Sequence, residues 1–308
     1  MDSFEPRFDR ALTYLSHGQL NEAIEQLLEL LGENPNESVY HTLLADCLLS
    51  QKRLIGAEYE LNVAQGLDPN TPYVYLVRGR LQLLQGKFDP AISSVREALA
   101  LDPEYVEALL LEAQLLQLKE QPEEALTKLK RAAALAPSEL NVIVALGDYH
   151  LARGDAKQAL ELARDAMRSD AGSDDANVLM GQAYLAMGET HEADMHARYA
   201  ISQNPDNSSA LRLLVNVRMR ENWFVGLWWR FNNSIQHLTN AQQGLVLILA
   251  FLLFQLAAQI CRDLGFTILG NAMSYAWLLI VAYSWVGLPI YQRALKKMLS
   301  EFRFNPKF

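Results

Sequence analysis

Small residues recur along this chain at an interval of 34 residues, and this period constrains the fold more than any other feature. Prolines follow at the same interval, with Ala171 at the one position where it lapses. A unit of 34 residues suits two short helices: small side chains let paired backbones touch, and proline ends the second helix. The residues that keep the interval are Ala23, Ala57, Ala91, Ala125, Ala159 and Ala193, then Pro35, Pro69, Pro103, Pro137 and Pro205.

Two stretches carry the pattern most fully, "YVYLVRGRLQLLQGKFDPAISSVREALALDP" and "ANVLMGQAYLAMGETHEADMHARYAISQNP". They resemble the tetratricopeptide repeat family, whose units are helix–turn–helix pairs of this length. The resemblance places repeats at 4–37, 38–71, 72–105, 106–139, 140–173 and 174–207, with 208–220 as the first helix of a capping unit. It implies an all-α fold, a right-handed solenoid over residues 1–220. The glycines at the turn within a repeat are Gly18, Gly86, Gly154 and Gly188.

The family holds peptides or partner helices on a concave surface lined by the first helix of each repeat. On this resemblance, equivalent positions of the successive first helices form two rows along the concave surface. The first row is apolar and the second is polar, so together they suit a partner segment with one apolar and one polar edge. The alternative is that the first row packs within or between repeats. The Lys, Asn and Arg set with which family members grip chaperone tails is missing, so chaperone tails are not expected. The first row is Phe8, Thr42, Leu76, Leu110, Val144 and Val178; the second row is Leu12, Asp46, Arg80, Gln114, Asp148 and Gln182.

Charge divides the chain into two parts. Residues 1–207 carry 33 Asp and Glu against 17 Lys and Arg, whereas residues 208–308 carry 3 against 10. A basic part beside apolar sequence favours an anionic membrane surface, and an acidic part disfavours nucleic acid. The start, "MDSFEPRFDRALTYL", has acidic residues where a signal peptide needs basic ones, and it has no apolar core. We therefore expect the N-terminal part to remain in the cytoplasm.

Two uncharged runs, 244–261 and 272–291, approach the ~20 residues that cross a bilayer. They predict a transmembrane hairpin over 243–292, followed by a basic tail at 293–308. Basic residues flank the pair on both sides, so the positive-inside rule places both chain ends in the cytoplasm. A re-entrant pair is the alternative. Within the hairpin, we expect hydrogen bonds from Gln255 and Gln259 to residues such as Tyr275 and Ser284.

An aromatic segment at 221–242 precedes the hairpin. Trp and Phe beside arginine suit the membrane–water boundary, so the segment predicts an interfacial helix. The same rings could instead cap the last repeat. The predicted interface residues are Trp223, Phe224, Trp228, Trp229, Arg230 and Phe231.

No nucleophile–base pair or metal-ligand spacing stands out, so neither an enzyme nor a cofactor is expected. The leading hypothesis is a membrane-anchored adaptor, in a bacterial inner membrane, that holds a cytosolic protein partner in its groove. In the second hypothesis the transmembrane hairpin is the recognition surface: it binds other integral membrane proteins and assists the assembly or regulation of a complex. The third is self-assembly into a membrane-lining array.

Overall fold

The computed structural model describes residues 6–170, 172–205, 207–221 and 240–275, without the side chains of 221, 240–244, 246 and 247. These residues are helical apart from turns, and residues 267–275 are also helical. Fourteen helices have both ends within this part of the chain: α1 (Pro6–Ser16), α2 (Leu20–Glu33), α3 (Ser38–Ser50), α4 (Leu54–Leu67), α5 (Pro72–Leu84), α6 (Phe88–Leu101), α7 (Val106–Leu118), α8 (Pro122–Leu135), α9 (Leu140–Ala152), α10 (Ala156–Ser169), α11 (Asp174–Met187), α12 (Thr190–Gln203), α13 (Ser208–Glu221) and α14 (Asn240–Asp263).

Each predicted repeat contains two of these helices, which confirms the all-α repeat fold. The small side chains lie where the period placed them, in the interior of the helix pairs. At Gly79, for example, an added Cβ would lie 2.7 Å from Val95 Cγ2 and 3.5 Å from the Ala91 carbonyl oxygen. The six alanines that keep the interval are fully buried: Ala23, Ala57, Ala91, Ala125, Ala159 and Ala193.

The turn within a repeat has one backbone pattern throughout. In the α5/α6 pair, Gly86 N donates to Leu83 O (2.9 Å) and Lys87 N donates to Gln82 O (2.8 Å). This pair of hydrogen bonds requires a residue in the left-handed backbone conformation at the centre of the turn, and Gly86 has φ +73°. Lys52 (φ 61°) and Glu120 (φ 59°) adopt the same conformation without being glycine.

The contacts divide the chain into two compact units, Met1–Tyr149 and His150–Phe308. The division falls inside α9, within the segment predicted as one domain over 1–220. The predicted boundary at 220 lies next to the end of α13 at Glu221, whereas the predicted boundary at 242 falls inside α14. The predicted boundary at 292 lies outside the described part.

In the first unit, a buried carboxylate joins the third and fourth repeats. Glu112 on α7 has no exposed surface. Arg96 Nε on α6 donates to its Oε1 at 2.8 Å, and Lys128 Nζ on α8 lies 2.7 Å from its Oε2. A charge removed from water is costly unless it is paired, so the two cations compensate this anion.

In the second unit, α13 packs on α11 and α12. Leu213 and Val217 of α13 join Leu185 and Ala197 in one buried cluster. The prediction that 208–220 forms a further first helix is therefore confirmed.

The C-terminal described segment is a helical hairpin. Helix α14 ends at Asp263, and the next helical residues begin at 267. The sequence placed the link at 262–271, so the turn is shorter and the second helix begins earlier than expected. The reason is the left-handed Gly265 (φ +87°), which reverses the chain within three residues.

Candidate partner-binding site

The first row lies largely in the packing between helices. Thr42 is fully buried, Leu76 is 1% exposed and Val178 is 5% exposed. Phe8 is half-buried and packs its ring on Tyr40, with centroids 5.4 Å apart. Leu76 was predicted to contact a partner, and this is corrected: it belongs to the core, because α6 and α7 enclose it. The remaining first-row residues, Leu110 and Val144, are half-buried.

The second row is more accessible, but its charges in the first unit are already paired. Arg80 NH1 donates to Asp46 Oδ1 and Oδ2 at 3.1 and 3.0 Å. Tyr73 donates its hydroxyl to Asp46 Oδ2 at 2.9 Å. A partner that bound Arg80 or Asp46 would have to replace these hydrogen bonds. The pair therefore stabilises the contact between its helices and does not present an unpaired charge to a partner.

Two tyrosines beside this pair are held in the neutral form. Burial, followed by the charge of Asp46, raises the pKa of Tyr73 far above its ordinary value. Burial also raises the pKa of Tyr105 to about 12, with the charge of Glu107 as the next cause. Both hydroxyls therefore remain hydrogen-bond donors at physiological pH.

The other second-row residues differ in their surroundings. Leu12 is 39% exposed, Gln114 and Asp148 are exposed, and Gln182 is half-buried. Asp148 is engaged in an interaction of its own. Gln182 borders a cavity.

That cavity is a cleft of about 650 Å³ within the second unit. Its apolar walls come from Leu151, Leu185 and Leu213. Its polar groups come from Gln182, Ser209, Arg212 and Asn216. Among the described lining residues, Arg212 is the single ionisable one, and its NH2 donates to Ser209 Oγ at 3.3 Å. The cleft therefore combines an apolar wall, amide and hydroxyl groups, and one cation without an acidic neighbour in the lining.

The sequence prediction missed Arg212 and Asn216. They lie 34 residues after Val178 and Gln182, so they continue the first and second rows onto α13. The 34-residue period carries this signal, because one further unit of the register reaches both residues beyond the last complete repeat.

The predicted polar contacts within the hairpin are corrected in part. Gln259 donates to Asp263 Oδ1 and accepts from Arg262 NH2, both at 3.1 Å, so it bonds within its own turn of helix. The physical reason is spacing, because residues three and four apart meet on a helix surface. Gln255 is half-buried, Tyr275 is 67% exposed, and Ser284 lies outside the described residues.

Helix α14 exposes many large apolar side chains. Among the residues the structure describes, no helix is both long and apolar enough to span a membrane. The predicted interface residues, Trp223 to Phe231, lie outside the described part, so that prediction stays untested. The exposed side chains of α14 are Leu245, Ile248, Leu249, Phe251, Leu252, Leu253, Leu256 and Ile260, at 39–65% exposure.

Comparisons with known proteins agree with the repeat fold. The model of the tetratricopeptide repeat family matches residues 8–72 and 76–139. These matched residues therefore resemble an array of tetratricopeptide repeats, and the described fold is an all-α helical solenoid of that type. Such repeats mediate protein–protein interaction and are generally scaffolds rather than enzymes. No curated protein matches the chain in sequence.

Several solved structures share the fold. A thermophilic repeat protein from Thermus thermophilus is 20% identical, with a TM-score of 0.53 over 58% of this chain and 98% of its own. A tetratricopeptide repeat protein from Parabacteroides merdae is 14% identical, with a TM-score of 0.53 over 78% and 95%. PilW, a type IV pilus biogenesis factor, is 17% identical, with a TM-score of 0.53 over 68% and 96%. At these identities the likeness concerns the fold alone.

Proposed function

We propose that this chain is a scaffold held at the cytoplasmic face of a membrane, which binds a segment of a partner protein in the cleft of its second unit. The observation that carries the proposal is the cleft itself. It adjoins the predicted second row at Gln182, and its volume of about 650 Å³ suits several side chains of a peptide or helix.

The lining of the cleft indicates the chemistry of the partner. Leu151, Leu185 and Leu213 favour apolar side chains. Arg212 is exposed and has a neutral hydroxyl as its hydrogen-bond partner, so it favours a carboxylate on the same segment. The partner segment would therefore carry apolar residues beside an Asp, a Glu or a terminal carboxylate.

A photocrosslinking amino acid in place of Gln182 tests this proposal in living cells. We expect a specific crosslinked product that Arg212→Glu reduces about tenfold, since a lost attraction of about 1.4 kcal/mol changes binding by that factor. Arg164→Glu is the matched control, because Arg164 lies on α10 outside the cleft lining and pairs with Glu161. A product that persists at full yield with Arg212→Glu would contradict partner binding in this cleft.

The membrane part of the proposal rests on the apolar surface of α14 and on the sequence. Leu245 and Leu252 are 59% and 55% exposed, and the run 244–261 contains no charge. Such a surface is stable in lipid and costly in water. The basic flanks favour a cytoplasmic location for both ends of the hairpin.

Fractionation of membranes tests the anchor. We expect the full chain to resist extraction at alkaline pH, and the double substitution Leu245→Asp and Leu252→Asp to release most of it. An Asp costs about 3 kcal/mol at the centre of a membrane helix, where Leu252 lies, and less near the end of the run, where Leu245 lies. The control is Leu84→Asp with Leu118→Asp, because these leucines are similarly exposed, at 54% and 51%, in the first unit. Extraction of the unaltered chain by alkaline wash would rule out the anchor.

A further inference from the structure

The C-terminal hairpin is built like the repeat hairpins, although its surface is apolar. Gly265 N donates to Arg262 O at 3.0 Å, and Phe266 N donates to Cys261 O at 2.8 Å. These are the bonds that Gly86 N and Lys87 N make in the α5/α6 pair. The two turns therefore share one geometry, and residues can be compared by their distance from the left-handed glycine.

The helix contact follows the same register. In α5/α6, the small residues Gly79 and Ala91 stand seven before and five after Gly86. In the hairpin, those positions hold Ala258 and Gly270, which are both buried. A Cβ added at Gly270 would lie 2.6 Å from the Ala258 carbonyl oxygen. The hairpin thus pairs its helices through the contact that the repeats use.

In the repeats, three further positions of the first helix are covered by the neighbouring helix pair. In α5 they are Val74, Val77 and Leu81, which are 0–2% exposed and share a core cluster with residues of α3 and α4. In α7 they are Ala108, Leu111 and Leu115, which are 0–8% exposed. This register is therefore the docking ridge of each first helix.

In the hairpin, the same register holds Leu253, Leu256 and Ile260, which are 65%, 59% and 49% exposed. Leu249, one turn earlier, is 50% exposed. The four residues follow steps of four, three and four, the spacing by which one helix packs lengthwise on another. We call Leu249, Leu253, Leu256 and Ile260 the seam.

The opposite face of the hairpin does not complement the seam. In α5/α6, the residues that receive the next ridge are apolar: Leu76, Ile92 and Val95 cluster with Leu111 and Leu115. In the hairpin, the same register places Gln255, Asn271 and Ser274 at the equivalent positions. A polar receiving face disfavours head-to-tail stacking of copies, whereas a seam that meets another seam forms a closed, two-fold contact.

We infer that the seam is the interface between two copies of this chain. Seam packs on seam around a two-fold axis, and the assembly stops at a dimer because the polar face offers no second apolar ridge. In lipid, close packing of the two helices stabilises this contact, while lipid covers the other exposed apolar residues of α14. The partner cleft plays no part in this interface, so dimerisation and partner binding are tested separately.

Cysteine crosslinking of the full chain in lipid vesicles tests the inference. Cys261→Ser removes one native thiol, and the other, Cys47, is buried with its pKa raised to about 11 by burial, so it stays unreactive at neutral pH. In this background, Leu256→Cys is compared with Ile248→Cys. The two sites are matched, since they are 59% and 61% exposed on α14, but position 248 lies about 100° from the seam.

We expect a disulfide-linked dimer from Leu256→Cys at roughly tenfold the rate of Ile248→Cys, and the same excess from Leu249→Cys as a second seam variant. Equal rates at seam and control positions would overturn the inference, and so would the absence of dimer from both seam variants. A ladder of larger oligomers would overturn the two-fold arrangement in favour of an array.

Discussion

The double substitution Arg96→Met and Lys128→Met is expected to destabilise the third and fourth repeats by about 3 kcal/mol, because it leaves the Glu112 carboxylate buried without a compensating charge. Glu112 is fully buried, whereas the Arg96 and Lys128 side chains are 57% and 29% exposed. The loss therefore arises from the stranded anion and not from the cations, which water can solvate. Met retains much of the length and apolar character of both side chains.

Amide hydrogen exchange of the full chain measures this loss of stability separately for the third and fourth repeats. Peptides from α7 and α8 should exchange roughly 100-fold faster in the double variant, the equivalent of about 3 kcal/mol. Adding Glu112→Met removes the stranded charge, and most of the protection should return, since apolar replacement of a whole buried ion cluster is often neutral. A triple variant no more protected than the double one would show that the carboxylate is not the cause.

Gly270→Leu is expected to separate the two helices of the C-terminal hairpin. Its Cβ would lie 2.6 Å from the Ala258 carbonyl oxygen and 2.7 Å from Arg262 Cγ. The first contact is with backbone, which cannot rotate away as a side chain can, so the helices must move apart. Overpacking of this kind costs about 2 kcal/mol, or roughly a thirtyfold change in the population of the closed pair.

A short bismaleimide that joins two cysteines reports on the closed pair. Cys261 Sγ and Met273 Sδ are 3.9 Å apart, so Met273→Cys places a second thiol beside the native one. Intramolecular crosslinking should be efficient in this variant and should fall at least about tenfold when Gly270→Leu is added. Asn271→Leu is the matched control, because Asn271 is the exposed neighbour of Gly270. Equal loss of crosslinking with the control would mean that added bulk, and not the contact at Gly270, opens the hairpin.

The period of 34 predicted the repeats because a single contact recurs in each one. Where two helices touch, only a small side chain fits, so the alanine at Ala57 or Ala91 marks the contact in sequence without any knowledge of the neighbours. The period does not predict which face of a helix is accessible, because accessibility depends on which neighbouring helices cover that face. The position of Leu76 in the repeat therefore does not reveal that α6 and α7 enclose this residue.

The candidate site was predictable in part. Gln182 was named from the second row, and the structure places it in the cleft. Arg212 and Asn216 lie one period beyond the last complete repeat, where the helix pair is no longer complete in sequence but the register of the first helix continues. In the hairpin, hydropathy located two apolar runs but could not locate the turn, because Gly265 reverses the chain through its backbone conformation and not through polarity.

At two of the six turns within repeats, the left-handed residue bears a side chain, Lys52 or Glu120. That conformation costs about 1 kcal/mol more for such a residue than for glycine. The helix contacts on either side hold the corner in shape despite this cost. The turns within repeats therefore accept side chains and attached groups that would not fit in the packed interior. Lys52 and Glu120 are suitable attachment points for a fluorophore or an affinity label.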